Sequence, residues 1–433
     1  MAPEYARLPT ASSTSSISTT TSSKKPSTFC IIFPLLALTA LVSSVLTAYS
    51  PLLVAHLVEQ QSQSSSATPP SSAASSASSA SSVSPAAAAG WKRITSKANW
   101  RNSAAYRTRY ASCPLLDTQD KCEQARYDRL LAWEWTNDNK ERADLTPLPT
   151  GRRARDVALK CLAGKTLGLS GDSLSRQSFH SLACLLHADG ATLSISKSGS
   201  LDVVQATFEN TSSLPVTLLW TGDSLNPYLL AYTGNRPEPT INYTALHPTL
   251  TELLTHSPDY LVLNTGLWVD ASSFRSRVLD FYQAYTKIIR SALALLLPPK
   301  KLDNDEPTTQ TQTQKTTRIV FRTSPMRHFQ NGDYSSDGSC PDLVPRFNAS
   351  ATTYYGGFAE TLQNAKLKEI LSDARGPGGV VAVLDAAEIA FARADAHRSE
   401  KDCSHYCLPG VPDFWNEVLL QSIWETCEEE SDE

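Results

Sequence analysis

The sequence predicts an α/β fold: an open, mostly parallel sheet covered by helices on both faces. Three observations predict it. Five short apolar runs read as buried strands, Thr166–Ser170, Val216–Trp220, Tyr260–Leu263, Arg318–Arg322 and Val380–Leu384. Helical patterns at residues 175–187, 272–297, 355–371 and 415–424 are interleaved with them or follow them, as in alternating α/β chains. Finally, Ser173, Gly222 and Asn264 follow the first three runs at once or within three residues. In such sheets ligands collect at the carboxyl ends of the strands, so one edge gathers three polar or turn-forming residues.

Taken in order, the first hundred residues carry no core. Residues 10–27 are almost all Ser and Thr, and residues 60–90 are Ser, Ala and Pro. Such compositions bury too little apolar surface to offset ordering entropy. Between them, no residue from 26 to 58 carries a formal charge apart from a protonated His56. Residues 29–49 alone span about 31 Å as a helix, enough for a bilayer core. A cleaved signal peptide is the alternative, but its apolar region is usually about 7 to 15 residues. Arg7, Lys24 and Lys25 precede the span, so the positive side is N-terminal and the expected topology is type II. The expected organisation is a disordered cytoplasmic tail (1–28), a transmembrane signal anchor (29–58), a stem (59–99) and a lumenal domain (100–433). A Thr/Gln-rich surface insertion is expected at 300–317.

Charge and cysteine narrow the class. Lys plus Arg number 39 against 43 for Asp plus Glu, a net charge of −4 that gives no sign of nucleic-acid binding. Beyond Cys30 in the apolar span, eight cysteines remain: Cys113, Cys122, Cys161, Cys184, Cys340, Cys403, Cys407 and Cys427. An even number beyond a membrane anchor reads as disulfides in an oxidising compartment, with about 105 possible pairings. Zinc competes, since Cys403 and Cys407 flank His405, but no CxxC pair supports it. Sequons at Asn210, Asn242 and Asn348 are compatible with lumenal exposure.

The chemistry concentrates near the C-terminus. In Asp402-Cys403-Ser404-His405 an aspartate and a histidine stand three residues apart, close enough to share one turn. The carboxylate then reaches Nδ1–H, leaving Nε2 free to take a proton from a hydroxyl. Gly171-Asp172-Ser173 supplies that hydroxyl on a strand-to-helix turn, and the tetrapeptide recurs as Gly222-Asp223-Ser224-Leu225. Only the first copy runs on into a long amphipathic helix, with Leu174, Phe179, Leu182 and Leu186 on one face, whereas the second meets Pro227. Ser173 is therefore the expected nucleophile.

Several segments together resemble the plant trichome birefringence-like family, within the PC-esterase group of the SGNH (GDSL-type) superfamily. They are Cys113-Pro114-Leu115-Leu116-Asp117 with Cys122, Trp133-Glu134-Trp135, Gly171 through Gln177, and Asn264-Thr265-Gly266. Phe321 through Pro325, Asn331-Gly332-Asp333, Gly338-Ser339-Cys340 and Asp402 through Glu417 complete the series. The resemblance implies an α/β/α sandwich with an SGNH-hydrolase-like sheet. It also implies a Golgi type II membrane protein that O-acetylates a wall polysaccharide, with no bound cofactor and an acetyl donor the sequence does not identify. It makes Ser173 the acylated nucleophile, His405 its base and Asp402 the orienting group. The implied oxyanion donors are Ser173, Gly222 and Asn264, and Arg176 matches a family arginine near the serine. Where family members have His after Asn-Thr-Gly, this chain has Leu267 before Trp268.

Trp268 and Trp415 are candidate sugar-stacking rings, although burial is the expected fate of both. His328 matches a family histidine and is expected to pack behind the site. His180, His187, His247 and His256 are expected to be structural or exposed, and the acidic run 428–433 to be solvated. Two other functions fit the same residues: a carbohydrate acetyl esterase and a non-catalytic polysaccharide-binding protein.

Overall fold

The computed structural model describes residues 90–93, 103–137, 145–149, 151–209, 211–221, 227–234, 239–269, 278–297, 317–334, 336–340, 350, 353–374 and 380–432. The expected tail, the anchor, most of the stem, nearly all of the 300–317 insertion, Gly222 and Ser224 lie outside them, as do the sequons at Asn210 and Asn348. No helix among the described residues is long and apolar enough to cross a membrane.

The chain begins with a ribbon, in which β1 (Gly90–Arg93) pairs antiparallel with β2 (Trp133–Thr136). Helices α1 (Ala104–Ala111) and α2 (Gln124–Leu130) lie between them in sequence, and α3 (Ala154–Cys161) follows. Then come β3 (Thr166–Ser170), α4 (Ser173–Ala188), the hairpin β4 (Ala191–Ser198) and β5 (Leu201–Phe208), and β6 (Val216–Trp220). A second ribbon, β7 (Leu230–Thr233) with β8 (Thr240–Leu246), carries the exposed Asn242 and leads into α5 (Pro248–Thr255). The remainder is β9 (Tyr260–Leu263), α6 (Val278–Leu296), β10 (Arg318–Arg322), α7 (Gly357–Ala374), β11 (Val380–Leu384), α8 (Ala386–Ala390) and α9 (Val411–Asp432).

The central sheet runs in the order β11-β10-β9-β3-β6-β5-β4. The five expected strands occur with the expected bounds and pair in parallel throughout. The antiparallel hairpin β4–β5 extends one edge. The chain moves from β3 outward to β6, then returns to the other side of β3 with β9. That makes β3 the topological switch point, where open α/β sheets bind ligands.

Side chains alternate strictly across this sheet, as a pleat with both faces covered demands. Leu167, Leu169, Leu218, Trp220, Tyr260, Val262 and Val320 join one core, which holds residues of α3, α4 and α9. Leu219, Leu261, Leu263, Ile319 and Phe321 join the other, with residues of α5, α6 and α7. Gly168 keeps the second face thin, since a Cβ there would meet Leu253 of α5 at 2.5 Å. The result is an α/β/α sandwich.

Two expectations need correction. Helix α4 is buried more deeply than an amphipathic surface helix: only Arg176, His180 and His187, on one stripe, escape full burial. It packs on the sheet and is covered by α1, α3 and α9, so no face meets solvent along its length. The stem also ends earlier than residue 99, because Trp91 is already part of the core. Its ring lies edge-on to Trp135 at 5.7 Å and to Phe414 at 4.8 Å, and its Nε1 donates to the Ile389 carbonyl at 2.8 Å.

All eight cysteines outside the apolar span pair: Cys113–Cys184, Cys122–Cys407, Cys161–Cys427 and Cys340–Cys403. Among the described residues no cluster of potential ligands could hold a metal ion.

Because Trp91 fills a core position, Trp91→Ala should destabilise the fold by about 3–5 kcal/mol. Urea unfolding of the variant against the natural chain measures this, and a loss below about 1 kcal/mol would put Trp91 back in the stem.

Candidate active site

Ser173 is the first residue of α4, directly beyond the switch-point strand. The turn depends on Gly171, with φ +154°, where a Cβ would come within 2.5 Å of the Asn264 carbonyl and 2.6 Å of the Ser175 hydroxyl. Asp172 caps the helix, accepting from the Leu174 N–H at 2.9 Å. Asp172 is fully buried; burial raises its carboxyl above the usual range, while Arg322 and the cap bond pull it back. Burial also lowers the Arg322 guanidinium to about 10. That side chain donates to the Ser175 hydroxyl at 3.2 Å and lies over the Trp415 ring at 4.9 Å.

The opposing side chains come from a loop between α8 and α9. His405 Nε2 lies 2.7 Å from Ser173 Oγ. Its Nδ1 faces both Asp402 oxygens, at 2.9 and 3.0 Å. Asp402 also accepts from the backbone N–H groups of Ser404 (3.3 Å) and His405 (3.1 Å), so one carboxylate folds its own turn and aims the imidazole. Burial would raise this carboxyl, but the bond to His405 and the nearby Arg398 hold it well below the usual range.

Gln177, one turn along α4 from Ser173, grips this loop. It accepts from the Tyr406 N–H at 3.0 Å and donates to the Tyr406 carbonyl at 2.8 Å. The second half of the C-terminal segment is a latch. Asn416 donates to the Ser178 carbonyl at 2.8 Å and to the Ser181 hydroxyl at 2.9 Å, and Asp413 accepts from the Tyr110 hydroxyl at 2.6 Å. Disulfides hold the loop on either side of His405, at Cys403 and at Cys407.

Asn264 sits at the end of β9, fully buried, its Nδ2 making only a long 3.4 Å bond to the Arg322 carbonyl. Arg176 is half-buried, one turn into the helix, and Trp268 is half-buried where the two cores meet. Trp415 is fully buried. His328 is buried too, 2.6 Å from the buried His397 and 3.0 Å from the Phe391 carbonyl. His397 in turn reaches the His405 carbonyl at 2.9 Å, so the two rings support the loop from behind. His180 bonds Asp120 at 3.1 Å.

Sequence reasoning missed His397, Asp120 and Arg398. Arg398 donates from Nε to Asp402 Oδ2 at 2.9 Å and adds a second bond to it from Nη2. Asp120 is drawn in from 282 residues before Asp402, and no local spacing marks it. Arg398 stands four residues before Asp402, an ion-pair spacing that was legible but not read.

A three-layer α/β sheet carrying these side chains at its switch point defines a class of protein suited to acyl transfer, whether to water or to another acceptor. The family is more specific. Residues 154–422 match PC-esterase, described as the GDSL/SGNH-like acyl-esterase family found in Pmr5 and Cas1p, and the chain belongs to that family. Among its relatives, Protein trichome birefringence-like 14 of Arabidopsis thaliana is 26% identical over 62% of this chain and 72% of its own length. Xyloglucan O-acetyltransferase 4 of Populus trichocarpa is 25% identical over 72% of this chain and 76% of its own. Probable xylan O-acetyltransferase 10 of Oryza sativa subsp. japonica is 25% identical over 78% and 79%.

The disulfides give a contrast that activity can read. Cys340→Ala/Cys403→Ala frees the Asp402–His405 loop and should lower turnover at least tenfold. Cys161→Ala/Cys427→Ala cuts the link between α3 and α9 instead, and should lower Tm while sparing turnover at 25 °C. Equal turnover in both double variants would show that the loop needs no tether.

Burial, with His328 beside it, lowers His397 well below the ordinary histidine value. The unfolded chain takes up a proton near pH 6.5 that the folded ring resists, so stability is full above about 6.5 and falls as pH drops below it. Tm measured from pH 7.5 to 5 should decline, and His397→Asn should flatten that slope; an unchanged slope refutes the assignment.

Proposed function

We propose that this chain is a Golgi-lumenal polysaccharide O-acetyltransferase working through an acetyl-Ser173 intermediate. The observation that carries the reading is the contact of His405 Nε2 with Ser173 Oγ at 2.7 Å, backed by Asp402 on Nδ1. Two relatives named as xyloglucan and probable xylan O-acetyltransferases support the acceptor class and transfer. The uncharged stretch at 26–58 and the four disulfides support a membrane-anchored, oxidising location.

The chemistry runs in two halves. His405 takes the Ser173 proton as Oγ attacks the acetyl carbonyl of the donor. The tetrahedral oxyanion is received by the Ser173 N–H at the helix N-terminus and the Asn264 amide, with Gly222 as the third expected donor. Collapse expels the donor's leaving group, which carries away the proton from His405. A sugar hydroxyl then gives its proton to His405 and attacks acetyl-Ser173, and Ser173 leaves with the proton returned. Asp402 holds the imidazole in the tautomer that both halves require. Arg176, one turn into α4, and Trp268, four residues beyond Asn264, are the residues expected to contact donor or acceptor.

The test uses the purified full-length chain and Ser173→Ala, each mixed with a labelled acetyl donor and deacetylated xylan, xyloglucan, mannan and pectin oligosaccharides. Mass spectrometry should find acetyl on one oligosaccharide with the natural chain alone. Label released only as free acetate would make the enzyme an esterase, as the family's description as acyl-esterases allows. Transfer that survives Ser173→Ala would overturn the nucleophile.

A further inference from the structure

Arg398 touches both His405, the partner of the serine, and Asp402 behind it. Besides its two bonds to Asp402 Oδ2, its Nη2 lies 3.1 Å from His405 Nδ1. It is fixed from the far side as well: Nη1 donates to the Gln119 carbonyl at 3.0 Å and lies 3.7 Å from the buried Asp120. Asp120 is held by Gln177 at 2.8 Å and by His180 at 3.1 Å, so the guanidinium's position does not depend on Asp402 alone. The other charged and titratable neighbours of His405 are Asp172, in the turn before α4, and His397 behind the loop.

A guanidinium has only donors to offer. While Asp402 is present, His405 Nδ1 keeps its proton toward the carboxylate, and Nε2 is the acceptor that Ser173 needs. Remove the carboxylate, and the same guanidinium, still tethered to Gln119 and Asp120, is left facing Nδ1 with a hydrogen to donate. Nδ1 then accepts, the ring proton moves to Nε2, and the base is lost.

We propose that Arg398 is a positioning residue that acts through Asp402 and makes the working tautomer of His405 conditional on the Asp402 carboxylate. The inference rests on Ser173 and His405 acting as nucleophile and base. Its signature is an effect whose sign reverses with the state of residue 402. With Asp402 present, Arg398 clamps the carboxylate and helps turnover. With Asp402 absent, it traps the wrong tautomer and hinders it.

The experiment measures hydrolysis of an activated aryl acetate by the full-length chain, a readout that needs neither the natural donor nor the polysaccharide. Arg398→Gln should lower kcat about tenfold with KM unchanged, and Arg398→Lys should recover most of it. Asp402→Ala should lose about 10³- to 10⁴-fold. Adding Arg398→Met to Asp402→Ala should then raise kcat about tenfold above Asp402→Ala alone. A purely structural arginine would lower kcat in both backgrounds, and that result overturns the proposal. So does an Arg398→Gln variant with normal kcat. If the glutamine variant folds poorly, Asp402→Ala and Asp402→Ala/Arg398→Met, matched by Tm, still read the sign of the effect. Ser173→Ala separates the two levels: if it hydrolyses the ester as fast as the natural chain, the reading of the site falls. If it is silent while the Arg398 effects are absent, only this inference falls.

Discussion

The hydrogen bond between His405 and Ser173 joins residues 232 positions apart, and much of the structure exists to make that contact reproducible. Bringing such distant segments to 2.7 Å carries a loop-closure cost that grows slowly with length, but holding them within tenths of an ångström requires rigid parts on both sides. On one side the rigid part is α4, buried almost all round and capped by Asp172. On the other it is a short loop whose turn is folded by the same carboxylate that aims the imidazole. Gln177 bridges the two, pairing with the Tyr406 backbone as a neighbouring strand would. Because Gln177 and Ser173 share one helix, the loop is held in register with the serine that His405 faces.

The parallel core of the fold was legible because its strands are buried on both faces. Each is a short, largely apolar run of four or five residues, too short for a helix and consistent with a doubly covered strand. The hairpin at the other edge was not read, and its residues show why. In β4 only Ala191 is fully buried, while Ile195 is 46% exposed, so its pattern is weak. The ribbon of β1 and β2 was hidden differently. Gly90–Arg93 is four residues long and abuts a Ser/Ala/Pro tract, and its pairing with Trp133–Thr136 is non-local. Helix α4 was found but its depth misjudged, since four apolar residues on one face say nothing about Ser173, Gln177 and Cys184 being buried on the other.

The site divides along the same line between local and distant interactions. Asp402 and His405 were legible because three residues separate them, and Ser173 because a strand, a glycine and a helix follow in sequence. The polar groups around them were not. Asp120, His180 and Gln177 meet Arg398 only after the chain has folded back upon itself. His328 and His397 are 69 residues apart, yet their rings bond at 2.6 Å. Each of these groups is buried or half-buried and would be costly alone, so their pairing is a condition of the fold before it is an aid to chemistry.

Asp172 carries this argument furthest. In the sequence, Gly-Asp-Ser reads as the setting of a nucleophile; in the structure, the aspartate caps the helix by accepting from the Leu174 N–H. It lies within the electrostatic reach of Arg322, itself sunk over the Trp415 ring and bonded to Ser175. Two opposite buried charges can be carried where either alone would cost several kcal/mol, so each makes the other necessary. The motif that identifies the family therefore reports a scaffold for holding a serine as much as the serine itself. A chain can keep the whole of that scaffold while changing what reaches it. In this protein the departures from the family pattern, Leu267 beside the half-buried Trp268, fall just beyond Asn264 at the mouth of the sheet. The physical division follows: Gly171 to Gln177 and Asp402 to Asn416 hold the serine and histidine in contact, and the residues that follow β9 can vary without disturbing that contact.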